Sequence, residues 1–145
     1  MKISIGSDHA GFSLKEVLKE HLTKNGHEVV DCGAYSADRV DYPDYAKPVA
    51  KAVSKGDCEM GVLVCGSGIG MCMTANRVKG VRAAVLRDER DAELSRLHND
   101  ANMACFGERI TDPEASTKLL DLFLATPFEG GRHEARVAKI DSGPE

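Results

Sequence analysis

The chain contains no apolar run of membrane-spanning length, no surplus of basic charge and no pair of cysteines at C-x-x-C spacing. Each absence removes a class of protein. Nothing approaches the roughly 20 apolar residues that a spanning helix needs, and residues 1–6 read as a strand rather than a signal segment. With 19 basic against 23 acidic residues and a net charge of −4, nucleic acid and membrane surfaces are poor partners. The five cysteines (32, 58, 65, 72 and 105) are odd in number, which favours free thiols in a reducing cytoplasm over disulfides or a zinc site. No repeat, low-complexity segment or linker interrupts the chain. Its 145 residues are expected to form one domain, 1–145, with a proper core.

What the chain does have is Cys65-Gly66-Ser67-Gly68-Ile69-Gly70, directly behind the apolar run Met60-Gly61-Val62-Leu63-Val64. The run reads as a buried parallel strand, and the loop as the turn into a helix over about 69–77. Glycines there let successive N–H groups converge on one point, as suits an anion or a developing oxyanion, and the helix's positive end adds to that field. Glycine-rich strand-to-helix turns serve equally often as plain scaffold, and a buried cysteine is usually a small core residue. Two sharper motifs fail at the same position. A dinucleotide fingerprint starting at Gly66 needs glycine at 71, and a phosphatase loop needs arginine there; the residue is Met71.

Alternation predicts strands at 2–6, 27–32, 60–64, 81–86 and 102–106. Between them lie helix signals. Ser13 with Glu16 has the form of a capping box, Asn25-Gly26 ends that helix, and Pro43 marks the first turn of the next. Further helices are expected over 88–98, from Thr111-Asp112-Pro113-Glu114 onward, and over 132–140. Five strands alternating with helices give an α/β fold: a doubly wound, Rossmann-like three-layer sandwich with a parallel sheet, expected in the order 2-1-3-4-5. Its switch point lies between strands 1 and 3, where ligands bind outside the carboxyl ends. That brings Asp8-His9 beside the Cys65 loop. Leu119, Leu120, Leu122, Phe123 and Leu124 make one helix more apolar than a single buried stripe requires, which points to a subunit interface.

Asp8-His9 is an acid beside an imidazole, and its place at the switch point favours function over a solvated turn. His98-Asn99-Asp100 is expected at the carboxyl edge as well, although a helix cap by Asn99, with His98 favoured by the dipole, explains it equally. Arg132 and Arg136, spaced i, i+4 behind Gly130-Gly131, suit a phosphate; a solvated basic face is the ordinary alternative. Arg109 is placed to join them. His21, His27 and His133 have no evident partner, Cys32, Cys58, Cys72 and Cys105 read as core or near-core thiols, and nothing is assigned to residues 141–145. Together these groups suit a small phosphorylated substrate undergoing proton transfer near a carbonyl. No redox-cofactor motif or metal-ligand cluster competes, so no cofactor is expected.

The same residues resemble a known family, ribose-5-phosphate isomerase type B, with its relatives the galactose-6-phosphate isomerase subunits. The resemblance runs through Gly6-Ser7-Asp8-His9-Ala10-Gly11, Asp41-Tyr42-Pro43-Asp44-Tyr45-Ala46, the Cys65 loop, Ala75-Asn76-Arg77, His98-Asn99-Asp100-Ala101-Asn102, Phe106-Gly107-Glu108-Arg109 and Gly130-Gly131-Arg132-His133-Glu134-Ala135-Arg136-Val137. It implies metal-independent aldose–ketose isomerisation through a cis-enediolate, a reaction of the non-oxidative pentose phosphate pathway. Cys65 would be the base; one branch of the family carries a glutamate where Met71 stands, so this chain falls in the cysteine branch. Amides of Gly66, Gly68 and Gly70 would stabilise the oxyanion and Ser67 would shuttle a proton. His98, with Asp8 assisting, would open the sugar ring. Asn99 and Tyr42 would hold sugar hydroxyls, and His9, Arg109, Arg132 and Arg136 the phosphate. The family builds its site between subunits, so a cytoplasmic homodimer, or a dimer of dimers, is implied.

A thiol at a helix N-terminus makes physical sense as a base, since the thiolate is the reactive form. The galactose-6-phosphate enzymes divide these motifs between two subunit types, whereas this chain carries all of them. Six-carbon sugar phosphates (allose or galactose 6-phosphate) stay open as substrates. So does a non-catalytic phosphosugar-binding module, which would not need the Cys65 thiol.

Overall fold

The computed structural model describes residues 1–144. The strands β1 (Lys2–Ser7), β2 (Glu28–Asp31), β3 (Met60–Cys65), β4 (Ala83–Val85) and β5 (Met103–Gly107) form one parallel sheet. Its order is β2-β1-β3-β5-β4, so the last two strands stand exchanged from the expected 2-1-3-4-5. The reason is in their burial. All five residues of β5 are buried and lie in register with Gly61 to Cys65, whereas the three of β4 are only half-buried. A strand beside the centre must be apolar on both faces along its length, which the five residues of β5 supply, whereas the three-residue β4, entered from Arg82, suits an edge. The switch point between β1 and β3 survives the exchange.

Successive residues of each strand point to opposite faces, and this builds two cores. Ile3, Ile5, Val62, Val64 and Phe106 pack with α1 (Phe12–Lys24), α4 (Glu89–Leu97) and α5 (Pro113–Ala125). Leu63, Cys65, Met103 and Cys105 pack with α2 (Tyr42–Ser54) and α3 (Ile69–Ala75). The last helix is α6 (His133–Ser142). Cys65 and Met71 thus lie in the same layer, Met71 with no exposure at all. Leu119, Leu120 and Phe123 of α5 are buried, and Leu122 and Leu124 pack part-buried on the same core. The apolar surplus of this helix is spent within the chain, which removes it as an argument for an interface.

Local capping signals hold where one aspartate faces its own helix. Asp88 accepts from the Asp91 amide and Asp112 from the Ala115 amide, each at 2.8 Å. The Ser13–Glu16 box does not form. Helix α1 starts two residues earlier, at Phe12 behind Gly11, and Glu108, just past β5, takes the Leu14 amide of its first turn at 2.7 Å. A carboxylate from a distant loop caps the first turn and ties the end of β5 to α1. Glu16 turns to Lys15, at 3.1 Å.

Lys15 has no exposed side-chain surface and reaches both oxygens of Asp31 at 2.9 Å. Burial pushes the Asp31 carboxyl up, but hydrogen bonds from Lys15, the Gly33 amide and Lys19 outweigh it and hold the group below its ordinary value. A carboxyl lowered in the folded state stabilises fully above the unfolded value near about 3.9 and loses that contribution as pH falls through the folded value. Removing Lys15 takes away two charge-assisted hydrogen bonds and leaves Asp31 with Lys19 as its cationic partner. Lys15→Ala is therefore expected to cost about 1.5–3 kcal/mol in urea unfolding at neutral pH, with the deficit shrinking as Asp31 is protonated in acid. A loss that is small, or equal at every pH, would refute this account.

Two histidines expected to stand alone have partners: His21 Nε2 lies 2.7 Å from Asp121, and His27 Nδ1 lies 3.2 Å from the N-terminal amine. Of residues 141–145, Asp141 pairs with Arg82 at 2.9 Å, and Glu145 lies outside the described residues. No helix among the described residues is long and apolar enough to cross a membrane. All five cysteines are free thiols.

Candidate active site

At the carboxyl ends of β1 and β3 lies a cavity of about 580 Å³ lined by Asp8, His9, Tyr42, Cys65, Ser67 and Arg109, with Gly66 and Gly70 between them. The expected meeting of the Asp8-His9 and Cys65 loops is thus observed. Gly68 takes a positive φ of 80° as N-cap of α3, which folds the loop back on itself. Its amide donates to Cys65 Sγ at 3.1 Å, and the Ile69 amide donates to Ser67 Oγ at 3.2 Å. Two of the loop amides thereby hold the thiol and the hydroxyl in place. The helix behind them is seven residues long, two fewer than expected.

The surrounding side chains are positioned by their own backbones. Asp8 is buried, and its Oδ1 accepts from the Gly11 amide at 3.0 Å, closing the turn after β1. His9 Nδ1 meets the backbone of Val40 at 3.2 Å, which leaves Nε2 for the cavity. Tyr42 opens α2, and its ring lies so close over Gly70 that a Cβ there would sit 2.6 Å from Cε1. Arg109 likewise lies over Gly66, with Nη1 3.1 Å from the place of a Cβ. Cys105, which shares this layer with Cys65, is pushed well up by its hydrogen bond to Cys72 and by complete burial. Cys105 stays protonated and outside the cavity, so Cys65 is the thiol that a bound molecule would meet.

His98 and Asn99 are elsewhere. Helix α4 runs back across the sheet, so its last turn lies at the amino edge, beside Asn102, whose carbonyl accepts from Gly61 at the start of β3. The six residues of β3 separate that edge from Cys65 by about 20 Å. The expectation of a carboxyl-edge position for His98-Asn99-Asp100 is corrected accordingly: in a parallel sheet every helix-to-strand loop returns to the amino edge. Nor is Asn99 the left-handed cap; Asp100 has the positive φ, of 47°, and pairs with Arg96 at 2.8 Å. Arg132 and Arg136 are exposed on this same side, because Glu129 donates its amide to Leu97 and brings the start of α6 to the end of α4. Arg109 does not join them within the chain.

Three side chains at this edge were not connected by sequence reasoning. The rings of His98 and His133 stack at 4.3 Å and 14°, and Glu129 Oε2 lies 3.7 Å from His98 Nε2 and 3.1 Å from His133 Nε2. The His133–Glu129 contact has ion-pair distance but lacks hydrogen-bond alignment. Among the described residues these three have spacing that a metal could share. The two rings lie in near-parallel planes, however, so their in-plane Nε2 lone pairs do not converge on a common centre, which is a poor fit to tetrahedral ligation. Sequence reasoning also passed over the apolar rim of the cavity. Ile69, Met73 and Ile110 are 52%, 67% and 61% exposed, and the signal for two of them was an isoleucine beside a motif residue with no buried stripe to join.

A family model described as Ribose/Galactose Isomerase matches residues 3–140. Ribose-5-phosphate isomerase B of Escherichia coli (strain K12) is 45% identical over 139 residues, 96% of this chain and 93% of that protein. Among solved structures, Clostridium thermocellum ribose-5-phosphate isomerase B superposes with a TM-score of 0.97 at 45% identity, covering 98% of this chain and 96% of the other. The Mycoplasma genitalium ribose-5-phosphate isomerase B with bound ribulose-5-phosphate gives 0.93 at 45% identity, over 97% and 94%.

Proposed function

The chain belongs to the ribose/galactose isomerase family, and from that premise we propose that it interconverts ribose 5-phosphate and ribulose 5-phosphate. The observation that carries this reading is the pairing of Cys65 Sγ and Ser67 Oγ on consecutive loop amides inside a cavity that also holds His9 and Arg109. In the first step the C1–O4 bond of the furanose breaks; O4 gains a proton and the O1 hydroxyl loses one, with His98 and Asp8 as the exchanging pair. The Cys65 thiolate then removes the C2 proton, giving a cis-enediolate with its charge on O1. The Cys65 thiol returns that proton to C1. Ser67 takes the O2 proton and gives one to O1, leaving the C2 ketone. The loop amides are held by the turn before charge develops, the arrangement that stabilises an oxyanion most, and the exposed Arg109 adds positive charge at the rim.

One copy cannot supply all of these groups. Asp8, Cys65 and Ser67 lie at the carboxyl edge, and His98, Asn99, Arg132 and Arg136 at the amino edge. A twofold homodimer that sets each edge against the other's counterpart completes two identical sites. The exposed Tyr42, Ile69, Met73 and Ile110 around the cavity supply the apolar surface that such a contact would cover.

A coupled assay on ribose 5-phosphate, beside allose 6-phosphate and galactose 6-phosphate, tests the reading. Turnover greatest on ribose 5-phosphate is expected; turnover greatest on a six-carbon phosphate would replace the substrate, and silence on all three would leave a binding module. Gly70→Ala is expected to push the exposed Tyr42 ring off the loop and lower kcat/KM on the order of 10- to 100-fold with little change in unfolding midpoint. Adding Tyr42→Ala should then lower it no further, and a full second loss would show that the ring was not the group displaced.

A further inference from the structure

We propose that Glu129 and His133 are positioning residues that hold His98 for ring opening, an inference that rests on the isomerase reading. His98 is the half-exposed last residue of the α4 turn, and nothing on α4 itself fixes its ring. Its fixed neighbour is His133, only 4% exposed, whose ring forms a wall 4.3 Å from that of His98. Glu129 is anchored by its amide to Leu97 at 3.0 Å, one residue before His98, so its carboxylate is carried on the backbone that His98 itself ends. From there Oε2 reaches the Nε2 side of both rings, 3.7 Å from His98 and 3.1 Å from His133. Stacking sets the plane of the His98 ring, and the carboxylate, at ion-pair distance from Nε2, favours one rotation within that plane. This is the third-group orientation that a general acid or base requires. Glu129 and His133 touch no substrate in this scheme; they act through His98.

The chemistry offers a separation of the two roles. Ring opening is needed only from the ribose side. Ribulose 5-phosphate has its C5 oxygen in the phosphate ester and cannot close a furanose, so exchange of its C1 hydrogen with solvent requires the Cys65 base but not His98. Two rates are therefore measured on Glu129→Gln and Glu129→Ala: isomerisation of ribose 5-phosphate, and NMR-detected incorporation of solvent deuterium at C1 of ribulose 5-phosphate. Isomerisation is expected to fall on the order of 10- to 100-fold, part of the full general acid–base contribution. Exchange should stay within about twofold of the wild type. On a His98→Asn background the same substitutions should have no further effect on isomerisation.

Glu129 is half-exposed, so neither variant threatens the core. Equal losses in both rates would overturn the proposal in favour of a structural or binding role, and unchanged isomerisation would overturn it outright. Absence of both reactions in the wild type would instead bring down the isomerase reading beneath it.

Discussion

Cys65→Ala is expected to lower ribose 5-phosphate isomerisation by about 10³-fold or more, because proton abstraction from C2 is assigned to its thiolate and the other bases lining the cavity, Asp8 and His9, serve ring opening and the phosphate in this scheme. Asp8 is the nearest competitor, but its Oδ1 is committed to the Gly11 amide. Cys105 is buried and held protonated, and Met71 is sealed in the core. The substitution removes one sulfur from a nearly enclosed position and leaves the Gly68 amide without its acceptor, a loss of about 1–3 kcal/mol that circular dichroism and urea unfolding would register. Deuterium exchange into ribulose 5-phosphate should fall in parallel, since both reactions pass through the same carbon acid step. A variant that keeps most of its turnover would displace Cys65 from the role of base while leaving the isomerase in place.

The second large effect concerns the two edges of the sheet. Cys65→Ala and His98→Asn are each expected to be nearly inactive, yet dissociated and reassociated together they should recover roughly a quarter of the wild-type rate, since half the dimers are mixed and each mixed dimer holds one intact site. The expectation follows from topology. Loops that enter strands and loops that leave them lie on opposite edges of a parallel sheet, and here they are separated by the length of β3. No rotamer of His98 can cross it. Recovery to that level would place His98 and Cys65 of each site on different copies. No recovery, with mixed dimers demonstrated by mass, would confine each site to one copy and overturn the divided arrangement.

Much of this molecule was legible from short stretches. The five strands and the helix starts near Asp88, at Asp112-Pro113 and at Tyr42-Pro43 are where their residues predict, because each depends on period or on signals within a few residues, and Asp88 and Asp112 bond the amides three residues on. The Cys65 loop was legible for the same reason: its glycines, thiol and hydroxyl are neighbours in the chain, and the switch-point rule needs only β1 and β3. Ser13 shows the limit of such reading. Its capping box is a sound local pattern, yet the helix starts two residues earlier, and Glu108 arrives from just past β5 with a full charge to cap its first turn at the Leu14 amide.

By itself, then, the amino-acid sequence determined the alternation of strands and helices, the free thiols and the family motifs, all of which are written in local spacing. Only the tertiary structure decided that β5 lies inside β4, that Lys15 is buried against Asp31, that α5 spends its leucines within the chain, and that Glu129 brackets two stacked histidines. It also decided that the proposed catalytic groups fall on opposite edges of one sheet. These depend on which distant segments compete for the same buried surface, and that competition is settled by packing and desolvation across the whole chain rather than by any window of it.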